Sequence, residues 1–133
     1  MTSEPITLSE SDTLHDAFML FMRRGFRHLP VTNEKKLVGI VTERDINKFS
    51  PSILSGMNPD EYNRILESTP VSRVMLKTPI TIPSNTPVKD AAEVLYKKRI
   101  GCLPVVDNEK LVGIITTVDL LGLLTKLLSN NSH

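Results

Sequence analysis

The chain has 133 residues, of which 40% are hydrophobic and 23% are charged, a composition typical of soluble globular proteins that excludes a disordered or fibrous chain. This length suffices for one ordinary domain or for two small units that share a core, but not for two independent domains. A formal net charge of +1, with Lys and Arg scattered among Asp and Glu, excludes the basic surface that nucleic-acid binding requires.

The sequence also argues against a membrane or secreted protein. Its longest apolar stretch, "LLGLLTKLL", is interrupted by Lys126 and is far shorter than the roughly 20 residues that span a bilayer. The amino terminus, "MTSEPITLSES", lacks the basic and apolar regions of a secretion signal. With Cys102 as the single cysteine, a reducing cytoplasm is the expected compartment.

The chain contains an internal repeat with a constant shift. Pro30 recurs as Pro104 and Asp45 recurs as Asp119, each 74 positions later and without a gap. Aligned at that shift, the two copies agree at roughly a third of their positions, as expected for stacked supersecondary units. One unit of the order strand, helix, strand, strand, helix is therefore predicted to occur twice.

A short strand and an amphipathic helix open each copy. The runs "ITL" and "ITI" predict a brief strand. Thr13 and Asp16 form a capping-box pattern for the first helix, which Gly25 is suited to end. Thr86 before Pro87 predicts the start of the corresponding second-copy helix. The apolar residues at helical spacing are Leu14, Ala17, Phe18, Phe21 and Met22 in the first copy, and Val88, Ala91, Ala92, Leu95 and Tyr96 in the second.

A hairpin and a second helix complete each copy. The runs "HLPVT" and "LVGIVT" around the turn "NEKK" predict two buried strands, as do "CLPVV" and "LVGIIT" around "DNEK". The second helix is predicted to begin at Glu43 and at Thr117. Because three strands cannot bury an apolar face alone, the copies are expected to pack sheet on sheet in an α+β fold.

A connector separates the two copies. The predicted organisation is a first unit at residues 1–50, a connector at residues 51–70 and a second unit at residues 71–133, which together form one module. Asn58 and Pro59 predict the cap and first position of a short connector helix. The following "VSRVM" predicts one further helical turn.

The paired segments "LVGIVTERDI" and "LVGIITTVDL", together with "VSRVM", "ITI" and "GCLPVVD", resemble a tandem CBS-domain module over nearly the whole chain. The spacer "RDINKFSPS" is also similar to the CBS portion of acetoin-utilisation proteins. The resemblance implies two CBS units that meet through their sheets about a pseudo-twofold axis. It also implies two related clefts for adenine nucleotides or adenosyl compounds, with a role in sensing and not in catalysis.

A T-x-x-D motif stands where the last strand of each copy turns into a helix. Thr42 with Asp45, and Thr116 with Asp119, occupy these positions. At a helix start, backbone N–H groups and the Thr hydroxyl can donate to a phosphate, while the Asp carboxylate can accept from ribose hydroxyls. The same pattern is a capping motif that needs no ligand, and the sequence leaves both interpretations open.

The two copies differ at three positions beside this motif. Two of the three positions are arginines in the first copy only, and Arg engages phosphate with two parallel hydrogen bonds. The first copy therefore suits a phosphorylated ligand, and the second copy suits an adenosine portion, a weaker ligand or none. Structural alternatives remain: a half-buried histidine, solvated arginines, and a cysteine that is a small buried hydrophobe instead of a nucleophile. The three pairs are Arg27 and Gly101, His28 and Cys102, and Arg44 and Val118.

The resemblance further implies where an adenine would lie. The predicted contacts are Pro5, Ile6 and Pro30 in one cleft, and Pro79, Ile80 and Pro104 in the other. No metal site is predicted, because His15, His28 and His133 do not have the spacing of metal ligands.

The preferred hypothesis is a regulatory module for AMP, ADP, ATP or S-adenosylmethionine, with no obligatory cofactor. It is not predicted to be an enzyme, because no nucleophile with its base, carboxylate pair or metal cage is evident. The alternatives are a ligand-free dimerisation or scaffold module and, more remotely, a small enzyme. The last helix has more apolar residues than one stripe can bury, which predicts a homodimer. These residues are Val118, Leu120, Leu121, Leu123, Leu124, Leu127 and Leu128.

Overall fold

The fold is α+β, as predicted, and alternates the short strands and amphipathic helices that the repeat specifies. The computed structural model describes residues 2–3, 5–54, 56 and 58–131. Along this part of the chain the elements are β1 (Thr2–Ser3), β2 (Leu8–Ser9), α1 (Leu14–Arg24), β3 (His28–Asn33), β4 (Lys36–Thr42), α2 (Glu43–Leu54), α3 (Pro59–Ser68), a 3-10 turn (Val71–Arg73), α4 (Val88–Lys98), β5 (Cys102–Asp107), β6 (Lys110–Thr116) and α5 (Thr117–Asn131).

The chain divides into two compact units that do not follow the repeat boundaries. The first unit is Ile6–Pro79, and the second unit comprises Met1–Pro5 and Ile80–His133. The 3-10 turn and the residues after it, predicted to open the second unit, therefore belong with the first. The start of the chain likewise belongs with the second unit.

Hydrogen bonding explains why the segment that precedes each copy, called its lead-in below, belongs with the other unit. The lead-ins are residues 2–3 for the first copy and residues 71–76 for the second. Leu76 and Ile40 exchange backbone hydrogen bonds of 2.9 and 3.0 Å, which attaches the lead-in of the second copy to β4 of the first unit. Thr2, the repeat equivalent of Leu76, lies opposite Ile114 in an antiparallel pairing of β1 with β6. Each lead-in thus pairs with the last strand of the other copy.

Both predicted hairpins are present with matching geometry. In the first unit β3 pairs antiparallel with β4 and parallel with β2, and in the second unit β5 pairs antiparallel with β6. The two central turn residues have positive φ angles of 51° and 70° in both hairpins, at Glu34 and Lys35 and again at Asn108 and Glu109. Positive φ at both positions matches the twist of the flanking strands.

Two local predictions differ from the structure. The run "ITI" forms a single parallel bridge between Ile82 and Val105 and no longer strand. The next amide that would face β5, that of Ser84, donates instead to Asp107 Oδ1 at 3.0 Å. Thr86 does not cap α4, whose N-cap residue is Pro87 without a side-chain hydrogen bond. Thr86 stands one residue too early, and its hydroxyl donates instead to the Pro83 carbonyl at 2.7 Å.

The other helix boundaries are confirmed. Thr13 and Asp16 form a complete capping box at α1, and Gly25 ends that helix at φ 69°. The Asn58 side chain caps α3, with Pro59 at its first position.

The helices bury narrower stripes than the sequence pattern predicts. On α1, Leu14, Ala17 and Phe21 are buried, but Met22 is 68% exposed. On α4 the buried residues include Leu95, whereas the predicted stripe residue Tyr96 is 83% exposed. The remaining buried residues of the two cores include Leu29, Val31, Val41 and Leu66 in the first unit, and Ile82, Leu103, Val105 and Ile115 in the second.

Across the described ranges, none of the helices has both the length and the hydropathy that crossing a bilayer requires.

Replacing Gly39 with Ala is expected to destabilise the first unit. A Cβ atom at Gly39 would lie 2.5 Å from the Met75 sulfur and 2.9 Å from the Leu76 carbonyl oxygen. Because backbone cannot move aside easily, the expected loss in free energy of unfolding is about 1–3 kcal/mol, measured by urea denaturation.

The matched control is Gly122→Ala in α5, where an added Cβ has no atom within 4 Å. It is expected to raise the stability by up to about 1 kcal/mol through helix propensity. Equal effects of the two substitutions would contradict the close approach of the lead-in to β4.

Candidate functional site

The junction between β4 and α2 holds Thr42 and Asp45 in a reciprocal pair of hydrogen bonds. The Thr42 N–H donates to Asp45 Oδ2 at 2.8 Å, and the Asp45 N–H donates to Thr42 Oγ1 at 3.2 Å. This is the geometry of a capping box, in which two backbone donors at a helix start are satisfied by side chains. The capping interpretation of the motif is therefore correct.

The second unit repeats this geometry between β6 and α5. The Thr116 N–H donates to Asp119 Oδ2 at 3.0 Å, and the Asp119 N–H donates to Thr116 Oγ1 at 3.1 Å. All four side chains of the two boxes are half-buried. The two helix starts are thus equivalent in structure as well as in sequence.

Capping leaves part of each box free. A hydroxyl that accepts from an amide keeps its own proton to donate, and a carboxylate that accepts through one oxygen keeps the other. Within residues 2–3, 5–54, 56 and 58–131, neither the Thr42 proton nor Asp45 Oδ1 has a further partner. The cap and a ligand contact are therefore compatible in one box.

Fewer backbone amides are available than the motif predicts. The first amide of α2, at Glu43, donates to the Arg27 carbonyl at 3.4 Å, and the first amide of α5, at Thr117, donates to the Gly101 carbonyl at 3.0 Å. Because the third amide is taken by the capping Thr, the second amide of each helix is the one left for a ligand. The expectation of several free amides is thus corrected.

The sequence offered a signal for these carbonyl contacts that the motif alone did not. Arg27 and Gly101 each precede the first strand of a hairpin whose partner strand ends at the T-x-x-D threonine. Antiparallel register then brings the residue before one strand to the residue after the other. The hairpin itself positions residues 27 and 101 at the helix starts.

His28 lies directly opposite Thr42 in the hairpin and is half-buried, which agrees with the structural alternative for this residue. Burial lowers the pKa of its imidazole, the nearby Arg27 guanidinium lowers it further, and Asp45 opposes both. Arg27 and Asp45 thus both act on His28. The imidazole is neutral at neutral pH and can donate one hydrogen bond.

Cys102 occupies the equivalent place in the second unit, opposite Thr116. It is 8% exposed, and burial raises the pKa of its thiol to about 12. The thiol therefore stays protonated, which fits the predicted small buried hydrophobe and not a nucleophile.

The three charged or apolar neighbours of the boxes are exposed. Arg27 and Arg44 are exposed side chains, and neither has an ion-pair partner among the residues that the structure describes. Val118, the counterpart of Arg44, is 64% exposed. The predicted difference in charge between the two helix starts is therefore present at accessible side chains.

The residues expected to contact adenine are distributed over both units. Ile6, Pro30 and Pro79 lie in the first unit, whereas Pro5, Ile80 and Pro104 lie in the second. Pro30 and Pro104 are fully buried, so a direct contact with a base would require neighbouring side chains to move. Their role stays a prediction.

Within the described ranges, no three His, Cys, Asp or Glu side chains lie close enough to share a metal ion. His133 lies outside the described residues.

The family of this chain follows from comparison with known proteins. The model of the CBS domain matches residues 1–52 and again residues 71–126. The chain belongs to the CBS-domain family and contains the domain as a tandem pair.

One relative is similar over almost its whole length. A CBS domain-containing protein of Dictyostelium discoideum is 33% identical over 130 residues, which cover 96% of this chain and 90% of that protein. The chain spans less than half of several other curated relatives, inosine-5′-monophosphate dehydrogenases among them.

Solved structures share the fold. A Vibrio cholerae protein provisionally assigned to acetoin utilization is similar with a TM-score of 0.86 and 34% identity, covering 100% of this chain and 93% of that chain. The protein CBSX2 in complex with AMP has a TM-score of 0.76 and 25% identity, covering 96% and 93%. A CBS domain pair in complex with 5′-methylthioadenosine and S-adenosyl-L-methionine has a TM-score of 0.71 and 28% identity, covering 92% and 94%.

The pKa of His28 provides a test of the site's electrostatics. The pKa is expected to lie below the ordinary value of 6.5. As the pH falls from that value to the pKa of the folded state, the unfolded chain binds the proton before the folded chain does, so the folded state loses stability over this range. Arg27→Gln should raise the pKa, and Asp45→Asn should lower it further. NMR titration of the imidazole resonances measures all three values, and shifts of the opposite sign would contradict the arrangement.

Proposed function

We propose that this CBS-domain pair is a regulatory module that binds an adenine nucleotide or an adenosyl compound at its two Thr–Asp boxes. The ligand class comprises AMP, ADP, ATP and S-adenosylmethionine. One observation carries the proposal: both half-buried boxes keep a hydroxyl proton and a carboxylate oxygen without partners in the described part of the chain.

The chemistry of each box matches a nucleoside with a 5′ substituent. The free oxygen of Asp45 can accept from the two vicinal hydroxyls of a ribose, and the Thr42 hydroxyl can donate to a phosphate. The backbone amide of Arg44 adds another donor at the start of α2, which is the positive end of the helix dipole. An Asp near a phosphate would repel it, so the carboxylate must serve the sugar and the donors the phosphate.

The ligands of similar proteins support this class. CBSX2 is in complex with AMP, and the other CBS pair is in complex with 5′-methylthioadenosine and S-adenosyl-L-methionine. These three compounds share adenosine and differ in the 5′ group. A site that binds the ribose hydroxyls would accept all of them, and the Asp carboxylate can supply the acceptor for those hydroxyls.

We infer a regulatory role without catalysis. The candidate nucleophile Cys102 is protonated because of its raised pKa. The Thr42 and Thr116 hydroxyls accept hydrogen bonds from backbone amides, and among the described residues no hydrogen bond joins either hydroxyl to a base. The dehydrogenase relatives that contain a matching segment are about five times longer than it, since the segment covers 21% of their length. A buried, free Cys102 also suits a cytoplasmic protein.

Removing the Asp carboxylates is expected to abolish ligand-induced stabilisation. In a thermal-shift panel of AMP, ADP, ATP, NADH and S-adenosylmethionine, a ligand at a hundred times its Kd adds about 2.7 kcal/mol, or several degrees in Tm. Asp45→Ala and Asp119→Ala should each remove the part that their own box contributes. The double variant should show no shift with any compound.

The chain contains a matched control for the loss of a cap. Thr13 and Asp16 form the same box at α1, with hydrogen bonds of 2.9 and 3.2 Å, but Asp16 is exposed. Asp16→Ala removes one hydrogen bond of that box and should lower stability by about 1 kcal/mol, and it should leave the ligand-induced shift unchanged. A wild-type protein that no compound stabilises would overturn the sensing proposal and leave the scaffold alternative.

A homodimer is proposed from the surface of α5. Six of the seven predicted apolar residues on this helix are exposed, between 43% and 64%, and Leu120 packs against the core of its own unit. A contiguous apolar arc of this kind marks an interface, and a symmetric pair of chains is the commonest assembly. We commit to a second copy of this chain as the occupant.

Leu124→Glu is expected to shift the dimer toward monomer because it places a charge in the apolar arc, where Leu124 is 49% exposed. Lys126→Glu introduces the same side chain at an exposed position two residues away, which faces the opposite side of the helix, and should leave the assembly unchanged. Sedimentation velocity measures both variants. A wild-type protein that sediments as a monomer at all concentrations would refute the homodimer.

A further inference from the structure

The two Thr–Asp boxes have the same geometry but different electrostatic surroundings. Two guanidinium groups, of Arg27 and Arg44, belong to the first helix start, and Glu43 and Asp45 offset them. At the second helix start the counterparts of the first three residues are Gly101, Val118 and Thr117, so Asp119 is the charged side chain that remains. The first box is therefore close to neutral with two accessible cations, and the second has a net negative charge.

The differing residues of the two boxes occupy structurally equivalent positions. Arg27 and Gly101 each accept from the first amide of the following helix through their carbonyl oxygens. Arg44 and Val118 are both the second residue of that helix. The side chains at these positions therefore project from matching backbone sites, and the charge difference is not an effect of alignment.

The polar neighbours differ in the same direction. His28 stands opposite Thr42 and can donate a hydrogen bond, whereas Cys102, opposite Thr116, is a weak donor buried at 8% exposure. Arg binds phosphate with a planar pair of donors that neither Val nor Gly can replace. A 5′-phosphate would find cationic partners at the first box that offset the charge of Asp45, whereas nothing at the matching positions offsets the charge of Asp119.

We propose that the two boxes divide the adenosine ligands by the charge of the 5′ group. The first unit selects a 5′-phosphorylated adenosine, and the second selects an adenosine whose 5′ substituent carries no negative charge, such as a thioether. This inference rests on the proposed function, because it assigns a ligand class to each of the two boxes.

AMP and 5′-methylthioadenosine are the matched probes, since they share adenosine and differ in the 5′ group. In isothermal titration calorimetry, the Asp119→Ala variant, which keeps the first box, should bind AMP about tenfold more tightly than 5′-methylthioadenosine. Titration of Asp45→Ala, which keeps the second box, should show the reverse order. Raising the salt from about 50 to about 300 mM should weaken the AMP binding of the first box and leave the binding of 5′-methylthioadenosine unchanged.

Exchange of one cation tests the cause of the preference. In the Asp119→Ala background, Arg44→Val should reduce AMP affinity about tenfold without changing that for 5′-methylthioadenosine. In the Asp45→Ala background, Val118→Arg should raise AMP affinity by a similar factor. Where an alanine variant fails to fold, Asp45→Asn and Asp119→Asn replace it, because Asn keeps an acceptor for the capped amide.

If neither compound binds the wild-type chain, this inference is overturned, and if no compound of the thermal-shift panel binds it either, the proposed function is wrong as well. If both compounds bind but the two single-box variants show the same preference, the boxes do not discriminate by charge and only this inference is overturned. Opposite preferences that the Arg44 and Val118 exchanges alter as stated support it.

Discussion

The reciprocal hydrogen bond between a threonine and an aspartate three residues later is the constraint on which both halves of this protein depend. It closes the strand-to-helix junction in each unit and fixes the direction in which α2 and α5 leave the sheet. The same pair leaves one proton and one oxygen available. Since each box is satisfied without a ligand, the proposed site would be formed before binding and would need no reorganisation of the cap.

Most of the fold could be predicted from the sequence because the repeat and its local signals agree. The helix starts at Glu43 and Thr117, the caps at Thr13 and Asn58, and both hairpins follow from short-range chemistry. What could not be predicted depends on pairing between distant segments. No local sequence pattern predicts the pairing of Leu76 with Ile40. Because of this pairing, the boundary between the two units differs from the boundary between the two repeats.

The site was predicted in part. The T-x-x-D residues and the differing neighbours were identified from the repeat, but the motif could not show that capping leaves other atoms of the same pair available. Nor could it show that the carbonyls of Arg27 and Gly101 occupy the first helix amides. The burial of Pro30 and Pro104 could not be predicted either, because it depends on how the strands are covered.

The crossed lead-in segments bear on how such a chain could arise. One copy excised alone would expose the edge of its last strand, a known route to association between chains, and would retain a lead-in with nothing to pair with. Two such excised copies would satisfy each other. Duplication of a single-copy ancestor would therefore have joined, by one peptide link, partners that already required each other to complete their sheets.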